Sequence, residues 1–276
     1  MELWPKHICD AHLHYGRPDT LKELADTSPL RERFACCRSV QFDKMDNYAA
    51  RLAEHRVEKT VLIPFVFREV DIEAENRLVI EASRSKPGAY FPYALLDEGD
   101  PFFAERHYSE IVGLKQHIVL HKTELTAERK EILDCLQQHE LILLLHTHAA
   151  NRIAYVSEIV RNFPHLKIQI AHMGRAEPGN EAFMLAVLTA MRGYDTVFFD
   201  TSTVRQPQIV KKAVNLVGAD RILYGSDFPF FMDQTGAEDI MEQQIRHILR
   251  AGLTQAEQEK IFAANFEHFV TFGKQR

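Results

Sequence analysis

The residues best suited to chemistry come almost at the start of the chain, in Ile8-Cys9-Asp10-Ala11-His12-Leu13-His14. Read as a strand with a side-chain period of two, Asp10, His12 and His14 share one face, and Cys9, Ala11 and Leu13 take the other. Two imidazoles side by side at a strand end can bind one metal ion through nitrogen, given further ligands from elsewhere in the chain. The plain alternative is a histidine-rich strand end that is merely solvated. The rest of the chain decides between the two.

Distant ligands need elements that deliver them to one place, and the sequence alternates regularly. Apolar runs that read as strands lie at 60–65, 90–96, 111–117, 141–146, 167–172, 196–200 and 221–224. Amphipathic helices are expected over 43–55, 73–84, 126–139, 152–162, 180–191, 207–217 and 237–251, with a last one over 255–269. The segment 97–110 has room only for a short helix. Continuous apolar runs suit strands buried on both faces, hence parallel pairing. With the first strand, eight such units in about 250 residues are the size of a closed (β/α)8 barrel of TIM type. A doubly wound open sheet is the alternative, but no Gly-x-Gly-x-x-Gly follows any of the strands. The whole chain, 1–276, is expected to be one domain, with a long loop after the first strand and an extra helix at the C-terminal end.

The polar residues support the barrel. His12 and His14 end the first strand, Lys115 and His117 the fourth, His146 the fifth, with His148 close behind. His172 ends the sixth, Asp200 the seventh, and Asp227 closes the eighth unit. A barrel gathers all of these ends at its C-terminal mouth, where such folds place their chemistry.

At this point the chain resembles the amidohydrolase superfamily, in its amidohydrolase-2 branch of compact metal-dependent hydrolases and decarboxylases. The resemblance is carried by Asp10-Ala11-His12-Leu13-His14, Gly113-Leu114-Lys115, Leu145-His146-Thr147, Ile170-Ala171-His172-Met173-Gly174, Tyr224-Gly225-Ser226-Asp227-Phe228-Pro229 and Asn265, in the family's order. It implies one divalent metal held by His12, His14, His146 and Asp227, with His172 as the neighbouring catalytic histidine. Zinc is the first expectation and manganese or iron the alternatives. Such an ion lowers the pKa of a bound water to about 7. Asp227 can then act as general base and acid, and His172 can polarise a carbonyl or stabilise an oxyanion.

Around this centre Tyr15, Arg17, Lys115, His148 and Arg175 are the expected substrate contacts. Lys115 could instead be carbamylated to bridge two metals, and His148 could replace His146. Asp10 is expected to orient a ligand. Glu177 and Thr201 to Thr203 are further candidate contacts, and the loop 15–41 a lid over the mouth, with Phe34 among its contacts. The activity expected first is hydrolysis of a small amide, ester or lactone, and the runner-up is nonoxidative decarboxylation of a small carboxylic acid on the same metal. A noncatalytic metal-binding barrel and a zinc phosphoesterase are weaker alternatives.

Composition narrows the partners. The chain has 33 basic and 39 acidic residues, a formal charge of −6, and no long run of one sign. This argues against nucleic acid and against an anionic membrane surface. No apolar run approaches the ~18 residues of a membrane span. Cys9, Cys36, Cys37 and Cys135 fit neither a disulfide framework nor a zinc ribbon. With no secretory pattern in the first residues, a reducing cytoplasm is the expected location. A small molecule is the expected partner, and homo-oligomer formation is left open.

Overall fold

The apolar runs form eight parallel strands, paired in the order of the sequence, in a computed structural model of the protein. They are β1 (Ile8–Asp10), β2 (Val57–Leu62), β3 (Tyr90–Leu95), β4 (Gly113–His117), β5 (Ile142–His146), β6 (Lys167–Ile170), β7 (Val197–Asp200) and β8 (Ile222–Leu223). The structure describes residues 4–16, 45–66, 70–97, 99–118, 125, 129–146, 152–174, 181–230 and 239–271.

Helices lie between the strands: α1 (Met45–Glu54), α2 (Ile72–Ser83), α3 (Phe103–His107), α4 (Lys130–Gln138), α5 (Arg152–Asn162), α6 (Glu181–Met191) and α7 (Pro207–Val217). After β8 come α8 (Ile240–Leu249) and α9 (Gln255–Glu259), which continues in wider π-type turns to Thr271. Local chemistry sets their ends. Asp71 caps α2 by accepting the Ala74 amide, and Asp239 caps α8 by accepting the Met241 amide. Thr254 and Glu257 form a reciprocal capping box at the start of α9. Pro207 opens α7 and Gly218, at φ 84°, closes it. The short α3 matches the little space left by 97–110.

Between β8 and β1 the seam is closed by loop backbone. The amide of Ala11 donates to Tyr224 O at 2.9 Å, that of Asp227 to His12 O at 2.7 Å, and that of His14 to Phe228 O at 2.8 Å. The result is a nearly closed (β/α)8 barrel. Its outer apolar layer lies between strands and helices and includes Leu143, Leu145, Ile168, Ile170, Val210 and Ile245. An inner layer holds Cys9, Val61, Tyr93, Leu144 and Phe198, and is plugged by Phe266, Phe269 and Val270 of the C-terminal helix. Fully burying one such aliphatic or aromatic side chain is worth roughly 1.5–3 kcal/mol. Asn265 ties the plug to the barrel by donating to the carbonyls of Ala219 and Ile222, both at 2.7 Å.

One element departs from expectation. β1 stops at Asp10 rather than running to His14 with strict alternation. The Asp10 carboxylate accepts the His12 amide two residues on, at 3.0 Å, and a local bond of this kind competes with strand pairing. Cys9 and Ala11 belong to the inner layer, and beyond Asp10 the strand pairing is reduced to isolated bridges of Leu13 with Phe228 and of His14 with Ile63. The lid expected over 15–41 falls, beyond Gly16, outside the described residues.

Candidate metal centre

His12 and His14 are fully buried, and each has its Nδ1 fixed by an acceptor. Nδ1 of His12 donates to Asp200 Oδ2 at 2.9 Å, and Nδ1 of His14 donates to the carbonyl of Pro64 at 2.9 Å. A carboxylate and a carbonyl can only accept, so both rings carry their proton on Nδ1 and leave a lone pair on Nε2. Burial, then the nearby Lys115 charge, push both histidines below their ordinary pKa, His14 furthest. The two rings are therefore neutral near pH 7.

Asp227 meets them from the other side of the seam. Its Oδ1 lies 3.4 Å from His12 Nε2 and 3.5 Å from His14 Nε2. The chain delivers it by a turn that only a small residue permits. A Cβ on Gly225 would sit 2.9 Å from His12 Cβ. Asp227 itself has φ 61°, a left-handed conformation that costs a non-glycine residue free energy and is typical of functional sites. The Asp10 carboxylate holds this loop as well, accepting the Ser226 amide at 3.1 Å. Burial raises the Asp10 pKa to about 7.

Lys115 completes the cluster from β4. Its side chain is 1% exposed, and Nζ stands 2.8 Å from His12 Nε2 and 3.3 Å from His14 Nε2. Burial lowers its pKa to about 8, against the opposing pull of Asp227 and Asp200.

His172 follows β6 in a left-handed turn, with φ 55° there and 51° at Met173. Its amide donates to Asp200 Oδ1 at 2.9 Å, and its ring stacks on His12 with centroids 4.8 Å apart. Nε2 of His172 lies 3.1 Å from Nδ1 of His146. His146 in turn stacks on His117, with centroids 3.9 Å apart.

Asp200 is the hub. Burial alone would raise its pKa, but His12, Ser202 and the His172 amide hold it below the ordinary value, so it is ionised. Gln169 donates to the same carboxylate at 2.7 Å and to Ala11 O at 2.9 Å.

Among the described residues two trios of ligand-type side chains have their donor atoms within 4.8 Å of one another: His12, His14 and Asp227, and His12, His172 and Asp200. The first fits a divalent ion. Its two nitrogens present lone pairs, its oxygen is a carboxylate, and a carboxylate–histidine bond backs one of the histidines, as metal sites commonly require. A cation, the Lys115 ammonium, already faces both nitrogens. The second trio is less suited, because His12 Nδ1 already donates to Asp200.

The expected site residues thus fall into groups. His12, His14, Lys115 and Asp227 come together directly, and His172 and His146 form a bonded pair beside them. Tyr15 is half-buried against Tyr48, with ring centroids 4.8 Å apart, and burial raises its pKa. Arg17, His148 and Arg175 lie outside the described residues, as do Phe34 and Glu177. From the sequence, His117 and Asp200 were strand-end residues expected at the mouth and Ser202 lay among the candidate contacts, but Gln169 was not singled out. The position of Asp200 at a strand end was a usable signal, whereas nothing marked Gln169.

A family model described as amidohydrolase matches residues 9–269, the span that contains every one of these side chains. The chain belongs to the amidohydrolase family. A comparison with curated proteins gives no significant match. Among solved structures, an amidohydrolase 2 from Bifidobacterium longum subsp. infantis is 19% identical, with TM-score 0.69, covering 96% of this chain and 99% of its own. A probable 2-pyrone-4,6-dicarboxylic acid hydrolase from Acinetobacter baumannii, with citric acid bound, is 16% identical, with TM-score 0.73 and coverage of 96% and 99%. A dihydroxybenzoic acid decarboxylase from Polaromonas sp., with bound manganese and the inhibitor 2-nitroresorcinol, is 18% identical, with TM-score 0.72 and coverage of 95% and 97%. At these identities the likeness concerns the fold. No described helix of this amidohydrolase is long and apolar enough to cross a membrane.

Proposed function

We propose that this amidohydrolase is a metal-dependent hydrolase of a small amide, ester or lactone. The observation that carries the reading is the convergence of His12 Nε2, His14 Nε2 and Asp227 Oδ1 in a buried site whose imidazoles are held neutral. His12, His14, His146 and Asp227 hold one divalent ion. Zinc is proposed first, and the manganese of the Polaromonas enzyme keeps manganese as the main alternative, with iron behind it. When bound, such an ion would supply Lewis acidity to the site.

The remaining steps belong to the protein's own side chains. Asp227 takes a proton from the attacking water and hands it to the leaving group, acting as general base and then as acid. His172 stabilises the developing oxyanion when its ring is protonated. Lys115 supplies a hydrogen-bond donor for an anionic group of the substrate, with Tyr15, Arg17, His148 and Arg175 as further contacts. The protein works on small molecules in the cytoplasm, as one domain over 1–276, with neither nucleic acid nor membrane as a partner. Self-assembly into a homo-oligomer is compatible with this reading.

Nonoxidative decarboxylation is the second reading. A buried lysine beside the centre is the group a substrate carboxylate needs, and the Polaromonas neighbour is named as a decarboxylase. Turnover in oxygen-18 water separates the two. Hydrolysis places label in the product's new carboxyl group, and the label disappears in Asp227→Asn. Release of carbon dioxide with unlabelled organic product would overturn hydrolysis in favour of the lyase.

A further inference from the structure

The turn after β7 adopts a shape that its own residues disfavour. Thr201 to Thr203 are buried, and the Val204 amide closes the turn by donating to Thr201 O at 3.0 Å. Thr203, the third residue, has φ 58°. A turn with a left-handed third residue ordinarily takes glycine there, and a β-branched residue in that region persists only when its surroundings impose it. The first half of the turn is held by the barrel. The Thr201 amide donates to Leu223 O at 3.0 Å, and the Gly225 amide donates to Thr201 Oγ1 at 3.2 Å. The second half is held by Gln244 of α8, which is 1% exposed. In the amide orientation that satisfies both of its ends, Gln244 donates to Thr201 O at 3.1 Å and Val204 O at 3.3 Å, and accepts the Thr203 amide at 3.2 Å.

Three oxygens of this turn surround one nitrogen, Nδ1 of His172. Ser202 Oγ lies at 2.7 Å, Ser202 O at 3.2 Å and Thr203 Oγ1 at 3.4 Å. The turn as a unit, rather than any one of these groups, is the seat for that edge of the ring. The other edge meets His146 at 3.1 Å, and the face stacks on His12. Relaxing Thr203 to negative φ would rotate the Ser202–Thr203 peptide against the Thr203 side chain, so the three oxygens could not all keep their places.

We propose that Gln244 is a positioning residue for His172. From α8 it holds the left-handed turn that seats the ring, and so fixes the direction in which the ring points. It acts through the backbone of Thr201 to Val204, which carries the constraint from an outer helix to a side chain at the mouth of the barrel. The inference deepens the proposed function, since it takes His172 as catalytic, but its test needs neither turnover nor metal.

The test is carbon–proton NMR of the histidine rings in the metal-free protein, alongside hydrogen exchange at the Thr203 amide. Wild type is expected to show a protected Thr203 amide and a single sharp His172 ring signal. Gln244→Leu, which can neither donate nor accept, should shift or broaden that signal while leaving the exposed His7 unchanged. Gln244→Glu, which keeps the shape but offers at most one of the two donated protons, should do the same and serves if the leucine variant does not fold. Adding Thr203→Gly, a residue at ease with positive φ, should return the His172 signal to that of Thr203→Gly alone. Once a substrate is in hand, Gln244→Leu should lower kcat about 10–100-fold with little change in KM. A wild-type Thr203 amide that exchanges like an open loop overturns the proposal, whether or not any variant folds. An unchanged His172 signal in a folded Gln244 variant overturns it too, even if stability falls, because Gln244 would then be structural only. A defect that Thr203→Gly leaves in full also overturns it, since the strained turn would not be its cause. None of these results bears on hydrolysis, which the oxygen-18 experiment decides separately.

Discussion

Lys115 Nζ lies 2.8 Å from His12 Nε2, so an ammonium faces the nitrogen that a metal ion would use. Both cannot hold that lone pair. With burial setting the lysine near pKa 8, the group is charged below that pH and repels an incoming divalent cation. Metal affinity should therefore climb as pH rises towards 8, up to about tenfold per unit for one displaced proton, and level off above it. His12 and His14 add little to this slope, since both are already neutral. Lys115→Met should bind metal more tightly at pH 7 and lose the dependence. Calorimetric titrations at pH 7 and 9 check this, and an equal slope in the variant rules the competition out.

Asp227→Asn removes the proposed proton carrier while preserving the shape of the loop. Turnover should fall about 10²–10⁴-fold, with far-ultraviolet circular dichroism unchanged. Metal content per chain, measured by elemental analysis, separates loss of a ligand from loss of the base. Near-normal turnover would place the base elsewhere.

Gly225→Ala tests the close approach at the seam. The added methyl would lie 2.9 Å from His12 Cβ and 3.3 Å from Asp200 Cβ, and none of these atoms sits at the free end of a flexible chain. A loss of roughly 1–3 kcal/mol of stability is expected from overpacking, together with weaker metal retention. Denaturant midpoints equal to wild type would show that the loop moves aside freely.

Asp239 joins the N-terminus of α8 to α1, accepting from His55 at 2.7 Å and from Arg51. Burial pushes its carboxyl up, but His55, Arg51 and the Met241 amide outweigh that and leave the pKa below the ordinary value. A depressed folded-state pKa stabilises the protein above the unfolded carboxyl pKa of about 4, and the gain disappears as pH falls through the folded value. Asp239→Asn keeps a capping oxygen and loses the charge, so it should cost about 1 kcal/mol between pH 5 and 7. The difference from wild type should shrink below about pH 4. Melting curves across that range provide the measurement, and a gap that does not narrow as the pH falls would exclude the ionic origin.

The sequence by itself determined the barrel and the place of its chemistry. Short apolar runs separated by amphipathic helices can pair only in parallel, and a closed parallel barrel sends every strand end to one mouth. That is why His12, His14, Lys115 and Asp227, spread over most of the chain, could be expected to meet. Tertiary structure decided which atoms face which. Asp10 was expected to orient a ligand, and its carboxylate holds the backbone amides of His12 and Ser226 rather than a ring. The carboxylate on the His12 ring is Asp200, 188 residues away. Periodicity carries the face a residue occupies, but ring orientation and proton placement arise only where segments remote in sequence are packed together.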